Sequence, residues 1–281
     1  TYTADRWACE YDGTIGTFSI TQVEMAQSQR NSSMALSGSA PSYFLRWNHS
    51  VAGSGQTVKK LRQRIENLRQ FQSAKVRVSF LAFVASGTTD VSLYAEYLYG
   101  SGGSPTADEA GPTAGAFTVT TAIQRFSATL EIGSFSGKTF GTDGPHTSAL
   151  EIGFSLPLNS TFDVRIMDVQ LEFGEATTPY DRRSFAEELR DCQRYYWKTF
   201  PYTTVPAQNA GTDGQISWRS AVAGASATSS GHLILPVAMR ATPTGTVYNP
   251  AAANAEVRNQ TDGSNCSSSS VGVSVTLDAE L

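Results

Sequence analysis

Residues Phe162–Phe200 read FDVRIMDVQLEFGEATTPYDRRSFAEELRDCQRYYWKTF, and this stretch decides the fold. Phe162, Val164 and Ile166 alternate with polar neighbours, the period of a strand with one buried face. Val169, Leu171 and Phe173 alternate as well, but one residue out of phase. A period-two strand absorbs that slip at Met167–Asp168 only through a bulge or bend, and a bulge there re-aims Asp168. The TTP of Thr177–Pro179 then breaks the sheet. Ser184 follows as a helix N-cap, with Glu187 three residues on to complete a capping box. Leu189, Cys192, Gln193 and Tyr196 recur on one face, so Tyr195, Tyr196 and Trp197 are expected to pack as part of a linker helix.

Upstream, the chain keeps returning to short strands. WACEYD (Trp7–Asp12) and TFSITQV (Thr17–Val23) come first. In Ser42–His49, Tyr43, Leu45 and Trp47 face one way. Lys75–Val84 is the most regular: Val76, Val78, Phe80 and Ala82 share one face, and Leu81 and Phe83 make the far end apolar on both. Asp90–Tyr99 places Val91, Leu93, Ala95 and Tyr97 in phase and Tyr94 out of phase, hence exposed. A Gly/Ser/Pro loop is expected over Gly100–Gly115, then strands at Ala116–Thr121, Gln124–Ile132 and Ser148–Leu156. Val58–Phe71 is ambiguous, because Leu61, Ile65 and Leu68 have helical spacing while VKKLRQRI also suits a strand. Short strands between turn residues read as an all-β sandwich. Beyond a loop over Phe200–Gln215, the segments QISWRSAV, GHLILPVAM, TGTVYN, AEVRN and VGVSVTLDAEL read as a small C-terminal β-domain. It is rich in Ser, Gly and Ala, so packing on the first domain or on neighbouring subunits is expected to stabilise it.

The bulk numbers agree. The 281 residues suffice for one large or two moderate domains. Charged residues are 16%, below the usual quarter, and the net charge of −4 argues against a nucleic-acid partner, which needs a basic stripe. Cys9, Cys192 and Cys266 fit no metal-finger spacing and read as free thiols. No apolar run reaches membrane length and no signal-peptide pattern appears. The chain opens on Thr1 and not Met, so a fragment or processed form of something longer is expected.

Chemistry is sparse. His49, His146 and His232 are the only histidines, and none accompanies a G-x-S-x-G elbow. Asp12, Glu24, Glu96, Glu131, Glu151 and Asp168 are candidates for the paired carboxylates of glycoside cleavage, but any β-rich chain offers as many. The rung repeats of a parallel β-helix are missing.

Seven blocks carry a resemblance: ADRW (Ala4–Trp7), LRQRIE (Leu61–Glu66), VRVSFLA (Val76–Ala82), DVQLEFGEATTPYDRR (Asp168–Arg183), EELRDCQRYYWK (Glu187–Lys198), LPVAMRATPT (Leu235–Thr244) and LDAEL (Leu277–Leu281). In this order they resemble tail-fibre and related receptor-binding proteins of tailed bacteriophages. The resemblance implies a carbohydrate-binding-module-like jelly-roll over residues 1–182, a helix and linker over 183–213, and a C-terminal β-domain over 214–281. It makes VKKLRQRI a strand and ENLRQF a helical turn. It implies a non-catalytic homotrimer in the virion tail, made in the bacterial host cytoplasm, that joins other tail proteins and attaches the virion to a host surface glycan or other receptor. Structural fibre, baseplate or head decoration, and glycan depolymerase, are the alternatives.

The resemblance implies one structural calcium where the first and last strands meet, with Asp5 or Glu10 near the start and Asp168 on the bulged last strand as the expected ligands; no other cofactor is implied. Aromatic faces stack on pyranose rings, which nominates Tyr94, Tyr99 at the mouth of the Gly-rich loop, and Trp47.

Overall fold

The computed structural model describes residues 2–4, 7–216, 234–254, 257–258, 265–266 and 274–278. The chain divides into two units, Thr1–Arg182 and Arg183–Leu281. The first is a jelly-roll β-sandwich built from β1 (Tyr2–Ala4), β2 (Trp7–Tyr11), β3 (Thr17–Glu24), β4 (Tyr43–Val51), β5 (Lys59–Glu66), β6 (Lys75–Val84), β7 (Thr89–Leu98), β8 (Glu109–Val119), β9 (Gln124–Glu131), β10 (Ala149–Ser155) and β11 (Phe162–Phe173). A six-stranded antiparallel sheet runs β1-β2-β5-β10-β7-β8, and a five-stranded one runs β3-β4-β11-β6-β9.

Alternation fills the space between the sheets. Val76, Val78, Phe80 and Ala82 of β6 meet Val91, Leu93, Ala95 and Tyr97 of β7 and Leu150, Ile152 and Phe154 of β10, all buried. Phe80 lies edge-to-face on Phe154, with ring centroids 4.9 Å apart. The outer face of the five-stranded sheet has its own apolar cluster of Met25, Phe44, Leu81, Phe83 and Met167. This is the double burial read from the far end of β6. Arg165 lies over Phe44 and Phe83, 5.6 and 5.0 Å from the centroids.

The Thr177–Pro179 segment is a strap across that outer face. Thr177 Oγ1 accepts from Arg77 at 2.7 Å, the Thr178 carbonyl accepts from Arg125, and Tyr180 N–H donates to the Ser37 carbonyl at 2.8 Å. The phase slip in β11 is a bulge, with the register to β6 jumping between Met167 and Gln170.

Three local readings change. Helix α1 (Gln27–Ser37) was not expected, because its buried positions are Ser33 and Ser37 and no apolar stripe marks it. Its serines return hydrogen bonds to the preceding turn (Ser33 Oγ to Gln29 O, 2.9 Å), and Gly38 at φ 75° closes it with a left-handed cap. Val58–Phe71 resolves into β5, which pairs on both sides, and a 3-10 turn over Leu68–Phe71. The expected Gly-rich loop is shorter, since β8 begins at Glu109. Pro112 is accommodated there because β8 is an edge strand.

In the second unit, α2 (Phe185–Gln193) starts as predicted: Ser184 Oγ accepts from Glu187 N–H at 3.3 Å, and Glu187 Oε2 accepts from Ser184 N–H at 2.8 Å. It ends at Gln193, before the aromatic run. Tyr196–Lys198 is instead strand β12, which joins a sheet with β13 (Thr244–Tyr248) and β16 (Ser274–Asp278) in the order β12-β16-β13. Strands β14 (Val257–Arg258) and β15 (Asn265–Cys266) pair separately. Most of QISWRSAV and the start of GHLILPVAM lie outside the described residues. Residues 234–239 form no strand, and Ile234 is exposed. Cys9 and Cys192 are free thiols.

Lys59 is fully buried with its Nζ 2.9 Å from His49 Nδ1 and 5.3 Å from the centre of the Phe162 ring. Burial pushes its ammonium below the ordinary value of 10.5. Between the lowered and ordinary values the unfolded chain binds more protons, so stability rises with pH across that window. Denaturation midpoints of the wild type should climb as the pH rises toward the ordinary lysine value, and the climb should vanish in Lys59→Met. Equal pH slopes for the two proteins would refute this role for Lys59.

Candidate functional site

On β5, Lys60, Arg62 and Arg64 alternate with the buried Leu61 and so project away from the inter-sheet core. On β10, Leu150, Ile152 and Phe154 face the core, which leaves Glu151 and Gly153 on the outer side. On β7 the same parity places Tyr94 and Glu96 there. Pairing aligns these positions in rows: Ala8, Arg62, Gly153 and Tyr94 in one, Arg64, Glu151 and Glu96 in the next.

Glu151 is the hub. Its Oε2 accepts from Arg62 at 2.5 Å and from Arg64 Nε at 3.0 Å, and its Oε1 accepts from the Tyr94 hydroxyl at 3.0 Å. Its side chain is only 2% exposed, a burial that a carboxylate sustains only when paired. Glu10 forms an ion pair with Arg62 Nε at 3.2 Å, and Glu96 pairs with Lys60 at 3.1 Å. Lys60 Nζ also lies 4.4 Å from the centre of the Tyr94 ring.

Gly153 makes the arrangement possible. A Cβ there would sit 2.3 Å from the Leu61 carbonyl oxygen and 2.9 Å from Tyr94 Cε1, so the ring can lie against bare backbone. Burial, and then the Glu151 charge, push the Tyr94 phenol far above its usual range, so it remains a neutral donor. The result is a polar platform whose donors and acceptors are held by one another.

The aromatic residues nominated from sequence lie elsewhere or differently. Trp47 is fully buried in the core, its ring 6.0 Å from Phe18 and 5.9 Å from Phe162. Tyr99 is also fully buried; its hydroxyl donates to Glu109 at 2.9 Å, and Glu109 is held by Lys138. Tyr94 does face outward, as its phase required, but it is 5% exposed, with Lys60 over its ring and its hydroxyl on Glu151. In this structure all three rings are buried and none presents an open face.

Asp5 lies outside the described residues. Asp168, on the bulge, accepts from the Ser37 hydroxyl at 2.9 Å. Among the described residues no three His, Cys, Asp or Glu side chains gather in a group that could hold a metal ion.

The platform residues Lys60, Arg62 and Arg64 were visible in sequence only as the polar half of KKLRQRIE. Glu96 and Glu151 appeared among many carboxylates. Their convergence depends on pairing between strands that are distant in sequence.

No protein-family model matches the chain, and no curated protein matches it. Solved structures do resemble it. The enzymatically active domain of bacteriophage CBA120 tailspike protein 4 is 15% identical with a TM-score of 0.39, over 60% of this chain and 19% of that one. The CBM22-2 xylan-binding domain of Paenibacillus barcinonensis Xyn10C is 14% identical with a TM-score of 0.39, over 61% and 93%. TmCBM61 in complex with β-1,4-galactotriose is 13% identical with a TM-score of 0.35, over 60% and 88%. The chain thus spans about a fifth of the tailspike domain's length. These likenesses concern architecture alone.

Proposed function

We propose that the chain is a non-catalytic adhesin, the receptor-binding part of a tailed-phage tail fibre that attaches the virion to a host surface glycan. The observation that carries this reading is the outer face of the six-stranded sheet. Glu10, Lys60, Arg62, Arg64, Glu96 and Glu151 form an ordered set of donors and acceptors. Sugar hydroxyls are recognised by such paired, pre-oriented polar groups, because little ordering entropy remains to be lost on binding. The single-site affinity of an open face is modest. A homotrimeric fibre, repeated on the virion alongside other tail proteins, converts it into firm attachment by raising the effective concentration of the next site.

The test is glycan-array and calorimetric binding with the purified chain. Host-surface oligosaccharides should bind, and Lys60→Ala and Arg64→Ala should each weaken binding at least about tenfold. Binding unaffected by either substitution removes the sheet face from the proposal. Sedimentation showing a stable monomer removes the trimer.

A depolymerase reading draws support from one observation: Glu96 and Glu151 stand directly opposite each other on paired strands. Both are engaged by cations, with Glu151 between two arginines and Glu96 on Lys60. That arrangement suits holding more than proton transfer. Reducing-sugar release that disappears in Glu96→Gln would reverse the preference.

A further inference from the structure

The bulge in β11 borders a cavity. Pairing with β4 stops at Ile166 opposite Leu45, and Asp168 takes φ 49°, a left-handed conformation unusual inside a strand. Such strain costs on the order of 1 kcal/mol and gathers at functional sites. Where the ladder parts there is a cavity of about 140 Å³, with Leu45, Leu61 and Ile166 contributing its aliphatic wall and Trp7, Asp168 and Tyr180 its aromatic and polar groups.

These groups are held in place. Trp7 stacks on Phe154 with centroids 5.7 Å apart and planes 25° apart. Tyr180 is tied to helix α1 through its backbone. Asp168 accepts from Ser37 at 2.9 Å, and burial raises its carboxyl above the usual range against the pull of Ser37, Ser39, Arg182 and Arg125.

Size and chemistry narrow the ligand. A water needs only about 10–15 Å³, and drug-sized ligands need about 300 Å³ or more. The cavity lies between, at the scale of one six-membered ring. Aromatic and aliphatic walls with one carboxylate suit a molecule with an apolar C–H face and a hydroxyl rim.

We infer that this cavity binds a single pyranose unit, a chain end or branch sugar. It is separate from the sheet-face platform and does not depend on it. Asp168 accepts from ring hydroxyls, and Trp7 and Tyr180 flank the ring.

The test is saturation-transfer NMR and calorimetry on the full chain with methyl glycosides of glucose, galactose, mannose and N-acetylglucosamine. At least one should bind once per chain with Kd on the order of 1 mM, as about a dozen heavy atoms support. Asp168→Asn keeps a residue that tolerates the left-handed conformation and should weaken binding at least about tenfold, as should Tyr180→Ala. Lys60→Ala should leave it unchanged. The inference falls if no glycoside binds, if both cavity variants bind like the wild type, or if Lys60→Ala abolishes binding, which would place the sugar on the sheet face. Should Asp168→Asn lower the thermal midpoint, the result for Tyr180→Ala decides.

Discussion

Glu151→Ala lowers the free energy of unfolding by about 3 kcal/mol, the lower part of the range for breaking a buried ion pair. The substitution removes the acceptor for Arg62, Arg64 and Tyr94 at once. Tyr94, 5% exposed, has no easy route to water, so its hydroxyl is left without a partner. The arginines are 21% and 28% exposed and can partly rehydrate, which keeps the cost from the top of the range. Urea denaturation should show the shift in midpoint with little change in slope. Glu151→Gln should cost less than Ala, because the amide oxygen still accepts and its bulk still fills the row. A double-mutant cycle with Arg64→Gln should return a coupling of at least about 1 kcal/mol. Additive effects would mean that the hub is only a geometric coincidence. Glycan binding should weaken along with stability, because the platform loses the group that orders it.

Trp47→Ala costs about 3–5 kcal/mol, the range for deleting a large aromatic side chain from a packed core. Trp47 is fully buried with its ring beside Phe18 and Phe162, so its deletion leaves a void inside the core. Trp47→Phe should behave very differently. The Trp47 Nε1–H is buried without a hydrogen-bond partner, so the smaller ring loses packing but also removes an unsatisfied donor worth about 1–3 kcal/mol. The two contributions offset, and the net change should stay within about 1 kcal/mol. Equal losses for Ala and Phe, read from thermal or urea unfolding, would contradict this account. Because Trp47 faces the core and not the platform, the proposed function expects Trp47→Phe to bind glycan as the wild type does. That result bears directly on the expectation, drawn from sequence, that this tryptophan meets a ligand.

The sequence alone determined the features whose cause is local. Alternation in Lys75–Val84 and Asp90–Tyr99 defined two central strands, because a pleat with period two has only one way to bury Val, Phe and Leu together. The phase slip at Met167–Asp168 required a bulge, and Ser184 with Glu187 required a helix start. Each depends on neighbours within a few residues. The tertiary structure alone decided the rest. Helix α1 buries serines, so no periodicity announced it. KKLRQRIE became a strand because β2 and β10 supply its hydrogen bonds on both sides. Tyr196–Lys198 became a strand through a partner far along the chain. Tyr94 shows the division most sharply. Its outward phase was readable, but its burial was not, because Lys60, which lies over its ring, and Glu151, the carboxylate that holds it, reach it only across paired strands. A side chain's parity is encoded locally; its exposure and its chemical partners are set by residues that only the fold brings near.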